Sequence, residues 1–314
     1  MRPGERIGKM QKVDLSSRAE LFRGCVAPGV RMSRELLDFY NDSEAKVIRA
    51  RSASGVRLAF VTDAEKMSFT LAFGGAARKI YTSDVIINGK ITVVEGEGPH
   101  DFTMDPGEKE IIIHLPHLVV IEKLELFLSD GAFVREMPIK KKKLLICGDS
   151  ILQGMTCTTP AKAVGTLLAE MLDVEFHNTS VGGADMRFEP VEYTLALGGD
   201  AVLVCFGIND VPHETPYELF RERTRKVLEL LDGFAGRSFL VVPIPNMNVS
   251  PEGRETICRI IREEHKNYPN VTLIEGESFY PAKSEFFVDG THPNDEGMQI
   301  YAENLAKIMK PFFA

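Results

Sequence analysis

From Lys142 onward, short apolar runs alternate with helix-start signals, and that alternation admits few folds. The runs at 143–147, 174–178, 201–206, 238–242 and 271–274 have the length and continuity of parallel strands buried on both faces. Between them, Thr159-Pro160, Thr215-Pro216 and Ser250-Pro251 each place a hydroxyl cap before a proline suited to the first helical position. Thr215 and Glu218 also have capping-box spacing. The helix they open carries Leu219, Phe220, Val227, Leu231 and Phe234 as an apolar stripe at helical spacing. Repeated strand–helix units of this size make a doubly wound three-layer α/β sandwich around a parallel sheet.

The first half keeps a different rhythm. Short β segments are expected at 46–51, 56–62, 66–73, 83–87, 110–115 and 119–128, separated by glycine-rich turn signals. Asn88-Gly89, between Val85-Ile86-Ile87 and Ile91-Val93-Val94, is the clearest hairpin. No long helical pattern interrupts this half, so an all-β sandwich or jelly roll is the economical architecture. Residues before Ala45 are mixed and could pack against either half. The chain therefore divides into an N-terminal β domain over 1–139 and an α/β domain over 140–314. A length of 314 residues suits two such units, each with its own core.

Composition narrows the function classes. Hydrophobic content of 44% and charged content of 26% are those of a soluble globular chain. A net charge of −8 leaves no electrostatic footprint for nucleic acid or an anionic membrane. The only dense basic run, Lys140 to Lys143, sits at the seam between the halves and reads as a solvated hinge. The five cysteines (Cys25, Cys147, Cys157, Cys205, Cys258) are scattered, without the spacing of a disulfide framework or a zinc site. No histidine shows metal-ligand spacing, so no metal or cofactor is expected. Nothing resembles a signal peptide or a membrane-spanning run, and the cytoplasm is the expected compartment.

Four motifs fall at the ends of α/β elements, where open sheets form their sites. Gly148-Asp149-Ser150 ends the first strand, and Asn178-Thr179-Ser180-Val181-Gly182-Gly183 ends the second. Gly207-Ile208-Asn209-Asp210 follows the third, and Asp289 with His292 precedes the last helix. A serine hydroxyl needs a neighbouring base to act as a nucleophile. Imidazole titrates near the working pH, and an adjacent carboxylate holds its tautomer. Glycine lets backbone approach a substrate closely, and an asparagine amide can donate to developing negative charge.

Together the four motifs resemble the blocks of the SGNH (GDSL-type) hydrolase family, over about 142–314. That resemblance implies a flavodoxin-like three-layer domain in which Ser150 is the nucleophile, His292 the general base and Asp289 the residue that orients its imidazole. It further implies an oxyanion hole made by the backbone N–H groups of Ser150 and Gly183 and the side-chain amide of Asn209, with Gly182 as the fallback donor. The N-terminal half is similar to the jelly-roll modules that precede the catalytic domain in some bacterial esterases, carbohydrate acetyl-esterases and an acyltransferase among them. The expected activity is cleavage of a small O-acyl ester, an acylated carbohydrate being one candidate, through an acyl-Ser150 intermediate. An acyltransferase using the same site is one alternative. A glycan-binding protein with an inert α/β half is another, from a different class.

Each motif also has a structural reading. Ser150 could cap a helix, Gly182-Gly183 could form a tight turn, and Asn209-Asp210 could be a turn pair. Asp149 is expected to brace its turn. Pro293 is expected in the first turn of the final helix. His213 could line the pocket or a surface loop, and Cys157 could edge the cleft.

Overall fold

The structure, a computed structural model, describes residues 10–313. In the N-terminal half two antiparallel sheets pack face to face. One carries, in order, Met10–Val13, Val119–Ser129, Lys66–Ala76 and Gly98–Thr103. The other runs Val134–Glu136, Arg57–Thr62, Lys109–His114, Thr82–Ile87 and Lys90–Glu95, with Phe22–Arg23 also pairing to Arg57–Thr62. Met67, Phe69, Leu126 and Leu128 from the first meet Phe60, Val85, Ile111 and Ile113 from the second in one apolar core. Asn88-Gly89 makes the hairpin expected, both residues taking the positive φ that a two-residue turn of this hand requires (48° and 81°).

One expected strand is instead a helix. Residues 46–51 lie in the α-helix Glu44–Arg51, capped by Ser43, whose side chain accepts from the Lys46 N–H. Glu44 in the first turn and Arg49 and Arg51 in the last suit the helix dipole. These end effects outweigh the β preference of Val47 and Ile48. A second short helix, Arg34–Phe39, precedes it. Buried Met32, Leu36, Tyr40 and Ala50 join the core of the α/β half, not that of the sandwich.

The C-terminal half is a five-stranded, wholly parallel sheet in the order Glu175–Asn178, Lys143–Gly148, Ala201–Cys205, Arg237–Val241, Val271–Ile274. Alternation within Lys143–Gly148 supplies both layers. Leu144 and Ile146 pack with helices Val164–Leu172 and Asp295–Met309. Leu145 and Cys147 pack with Phe188–Leu195, Tyr217–Asp232 and Pro251–His265. The order of strand addition reverses beside the first strand, so the crevice beyond Gly148 and Cys205 is the topological switch point, where ligands bind in such sheets.

The helix starts differ in detail from expectation. Ser250 caps Pro251–His265 by accepting from the Gly253 N–H at 3.0 Å. Thr215 does not form a capping box. Its backbone N–H donates to the Asp210 carbonyl at 3.0 Å, and Tyr217–Asp232 follows Pro216 without a side-chain cap. Thr159-Pro160 opens only the 3-10 turn Pro160–Lys162. Pro293 stands before the final helix, which begins at Asp295 under an Asn294 cap.

The outer face of the second sheet docks on the α/β half. Arg57 pairs with Glu175 and lies over the Phe176 ring, 4.5 Å from its centroid, while Arg23 Nε is 3.9 Å from Glu175. Ala161 N–H donates to Asp84 at 2.6 Å, and Thr82 donates to the Thr158 carbonyl at 2.7 Å. At the seam, Lys140 pairs with Asp173, and Lys142 with Asp200 at 3.0 Å. Among the described residues no helix is long and apolar enough to cross a membrane.

Candidate active site

Gly148 ends its strand where a side chain would not fit: a Cβ would stand 2.5 Å from the Cys205 carbonyl oxygen and 2.8 Å from Leu152. The glycine is therefore required by close approach between neighbouring strands and not by a left-handed φ. Asp149 then caps the short helix Ser150–Gln153, accepting from the Ile151 N–H at 2.9 Å. This is the bracing expected of it. Burial, opposed by that N–H and reinforced by Asp210, pushes the Asp149 carboxyl up to about 7. Ser150 follows as the first residue of the helix, so its N–H is one of the orphan donors of a helix start.

His292 arrives from the far end of the chain. Its Nε2 lies 2.8 Å from Ser150 Oγ, and its Nδ1 lies 2.8 Å from Asp289 Oδ2. Asp289 also accepts the backbone N–H of His292 at 2.8 Å and that of Thr291 at 3.1 Å. Burial raises the Asp289 carboxyl, but these bonds outweigh it and leave it below the ordinary carboxylate value. The loop carrying both residues is closed on itself, with Val288 N–H donating to the His292 carbonyl at 2.9 Å. It is also tied to its neighbour: Met247 N–H donates to the Gly290 carbonyl at 2.8 Å, and Asn248 Nδ2 donates to Thr291 Oγ1 at 2.9 Å. Gly290 meets the turn with a φ of 77°. Thr156 Oγ1 donates to the Pro293 carbonyl at 2.7 Å, which anchors the loop to the segment after Ser150.

The other two blocks interlock. Asn209 lies in the 3-10 turn Ile208–Asp210, and its Nδ2 donates to the Ala184 carbonyl at 2.9 Å. Asp210 Oδ2 accepts the Met186 N–H at 2.8 Å, while burial pushes its carboxyl up to about 6. Gly182 N–H donates to Gln153 Oε1 at 2.7 Å and is thereby occupied. Gly183 N–H has no partner among the described residues, and Gly183 takes a φ of 78°.

Three residues at this edge carry no sequence signal. Gln153, one helical turn beyond Ser150, accepts from Gly182 and donates to the Arg49 carbonyl at 2.8 Å. Arg31, only 2% exposed, donates to the carbonyls of Asn178 (3.0 Å), Ser180 (2.9 Å), Arg49 (2.6 Å) and Ala50 (2.9 Å). Arg49 Nη1 donates to the Gly182 carbonyl at 2.9 Å. All three join residues 18 or more positions apart, a relation no local pattern displays. Cys157 does not edge the cleft: it is wholly buried in the α/β core, and burial pushes its thiol up. His213 is exposed and pairs with Asp185 at 2.6 Å, bridging the two interlocked blocks.

A cavity of about 260 Å³ lies elsewhere, between the domains, lined by Arg57, His114, Glu170 and Phe176 among others and by none of Ser150, Asp289 and His292. Among the described residues no group of three or more candidate ligands is arranged to hold a metal.

A serine, an imidazole and a carboxylate stand in series at the switch point of a 2-1-3-4-5 parallel sheet. Residues 146–300 match the GDSL-like lipase/acylhydrolase family. The α/β domain thus carries the match to that family of ester-bond hydrolases, and an additional N-terminal β domain precedes it.

Solved structures share the two-domain fold. A protein described as a GDSL-like lipase from Bacteroides ovatus superposes with a TM-score of 0.78 at 20% identity, covering 97% of this chain and 98% of its own. A salicylyl-acyltransferase from a tetracycline biosynthetic pathway gives 0.76 at 18% identity, covering 96% and 97%. A family two carbohydrate esterase from Cellvibrio japonicus gives 0.70 at 15% identity, covering 98% and 99%. No curated protein matches the chain in sequence at a significant level.

Proposed function

We propose that the chain is a serine esterase that removes small O-acyl groups, acetyl groups on carbohydrate among them, through an acyl-Ser150 intermediate. The observation that carries this reading is the relay from Ser150 Oγ through His292 to Asp289, with 2.8 Å at each step. His292 Nε2 takes the hydroxyl proton as Ser150 Oγ attacks the ester carbonyl. Asp289, which accepts from Nδ1, holds the tautomer and stabilises the imidazolium. The tetrahedral oxyanion is received by the N–H groups of Ser150 and Gly183 and by the Asn209 amide. One such donor is typically worth roughly 3 kcal/mol in the transition state. The Ala184 carbonyl takes one Asn209 N–H, fixing the amide so that its second can serve. His292 then returns its proton to the leaving alcohol. It next draws one from water, whose oxygen attacks the acyl carbon and releases the acid with free Ser150.

The carbohydrate preference rests on likeness of fold to the family two carbohydrate esterases, one of which is described in complex with cellohexaose. The salicylyl-acyltransferase with the same architecture supports a second reading, in which an alcohol replaces water in the last step. Hydrolysis of p-nitrophenyl acetate by the wild type and Ser150→Ala tests the first step. Loss of roughly 10⁴-fold or more in kcat is expected, and turnover undiminished in the variant would refute the mechanism. Product ratios with water and sugar alcohols in competition separate the two readings of the last step.

A further inference from the structure

Arg49 belongs to the helix Glu44–Arg51, far upstream of the parallel sheet in sequence, yet its guanidinium lies over the loop that carries Gly182 and Gly183. Nη1 donates to the Gly182 carbonyl at 2.9 Å, and a Cβ built on Gly183 would stand 2.9 Å from the same nitrogen. A guanidinium has five N–H donors in a planar fork. Only one partner, the Gly182 carbonyl, is present for them among the described residues. Arg78 follows the strand Lys66–Ala76, which rests on that helix closely enough that a Cβ on Gly75 would stand 2.8 Å from Ile48. Partial burial and then the charge of Arg78 lower the Arg49 pKa, so the two cations sense each other. Among the described residues neither is paired with a carboxylate, in a chain with 45 acidic residues against 37 basic.

Two like charges, one drawn partly out of water and neither neutralised, are unfavourable by themselves. An anion would relieve both terms, because charge-assisted bonds to a planar guanidinium are strong and directional. We propose that Arg49, backed by Arg78, forms an anion subsite beside the Gly182–Gly183 loop, and that the ester this protein takes carries a carboxylate or equivalent anionic group within its reach. This deepens the serine-esterase reading and rests on it. A purely positioning role for Arg49, holding the Gly182 carbonyl, would instead alter turnover of every ester alike.

The test compares paired esters on the full chain, so that each variant is judged by a ratio. On the acyl side the pair is mono-p-nitrophenyl succinate against p-nitrophenyl butyrate. On the alcohol side it is 4-acetoxybenzoate against 4-acetoxybenzamide. In the wild type, kcat/KM should favour the anionic member of one pair by about tenfold or more, chiefly through KM. That ratio should fall to near parity in Arg49→Met, persist in part in Arg49→Lys, drop about threefold in Arg78→Met and shrink with added salt. Should Arg49→Met fail to fold, the Arg49→Lys and Arg78→Met ratios decide. Parity for both pairs in the wild type, or a ratio unmoved by every arginine variant, would overturn the subsite. Neither result touches the esterase reading, which falls only if Ser150→Ala still hydrolyses the neutral esters.

Discussion

His292 and Asp289 differ sharply in their surroundings, and the difference sets what each substitution should do. The His292 side chain is 14% exposed, whereas that of Asp289 is 41% exposed. A carboxylate partly in water is screened, so its charge helps the imidazolium less than a buried one would. Asp289→Asn should therefore lower kcat/KM by on the order of 10²–10³-fold, toward the mild end for such a residue. A loss no larger than threefold on p-nitrophenyl acetate would show that the histidine is oriented without it. Asp149 presents the opposite case, a buried carboxyl held at about 7 against an ordinary 3.8. Between those values the folded protein binds a proton that the unfolded chain has released, so this group makes stability fall as pH rises from 3.8 to about 7. Asp149→Asn keeps an acceptor for the Ile151 N–H and should flatten that part of the stability–pH curve. Urea titrations across the window would expose a wrong assignment by leaving the slope unchanged.

At the scale of elements, the site depends on how the last helix begins. Asn294 accepts the Gly297 N–H at 2.8 Å through Oδ1 and donates to the Glu285 carbonyl at 2.8 Å through Nδ2. One side chain thus caps Asp295–Met309 and fastens the strand of loop behind His292. Asn294→Ala should cost about 1 kcal/mol of stability as a lost cap. It should also lower kcat, because the imidazole loses part of its support. Asn294→Asp keeps the cap and loses only the bond to Glu285, so it should recover stability more fully than kcat. Denaturant midpoints beside single-turnover rates check both halves, and equal recovery of the two would deny the loop any separate role.

Across the whole molecule, the N-terminal half helps build the candidate site. Arg31 ties its helical segment to the carbonyls beyond the second parallel strand, and Gln153 ties the Ser150 helix to the same segment. On the other side of the domain boundary, Glu175 faces Arg57 and Arg23 with its side chain only 16% exposed. Removing the carboxylate leaves two nearly buried cations without their counter-charge. Glu175→Ala should accordingly destabilise the chain by about 3–5 kcal/mol. The change should exceed that of any exposed pair such as Arg34–Asp38, worth about 0–1 kcal/mol. Calorimetry on Glu175→Ala and Asp38→Ala compares the two directly; similar small shifts would mean that the domains do not rely on this contact.

Much of this was written in local pattern. The five parallel strands announce themselves because a strand buried on both faces must be apolar throughout, and Asn88-Gly89 because few residue pairs accept positive φ twice. Ser150, Gly183, Asn209, Asp289 and His292 could be picked out because each follows a strand or precedes a helix, and parallel strands send all such ends to one edge. Local pattern misplaced the helix Glu44–Arg51, where Ser43 and the terminal charges decide against two β-branched residues, and the start of Tyr217–Asp232, which follows Pro216 without a side-chain cap. It was silent on Arg31, Arg49 and Gln153. Their partners are backbone carbonyls and N–H groups, which every residue has, so nothing in the order of side chains marks which ones will be met. Only the folding of one half against the other chooses them.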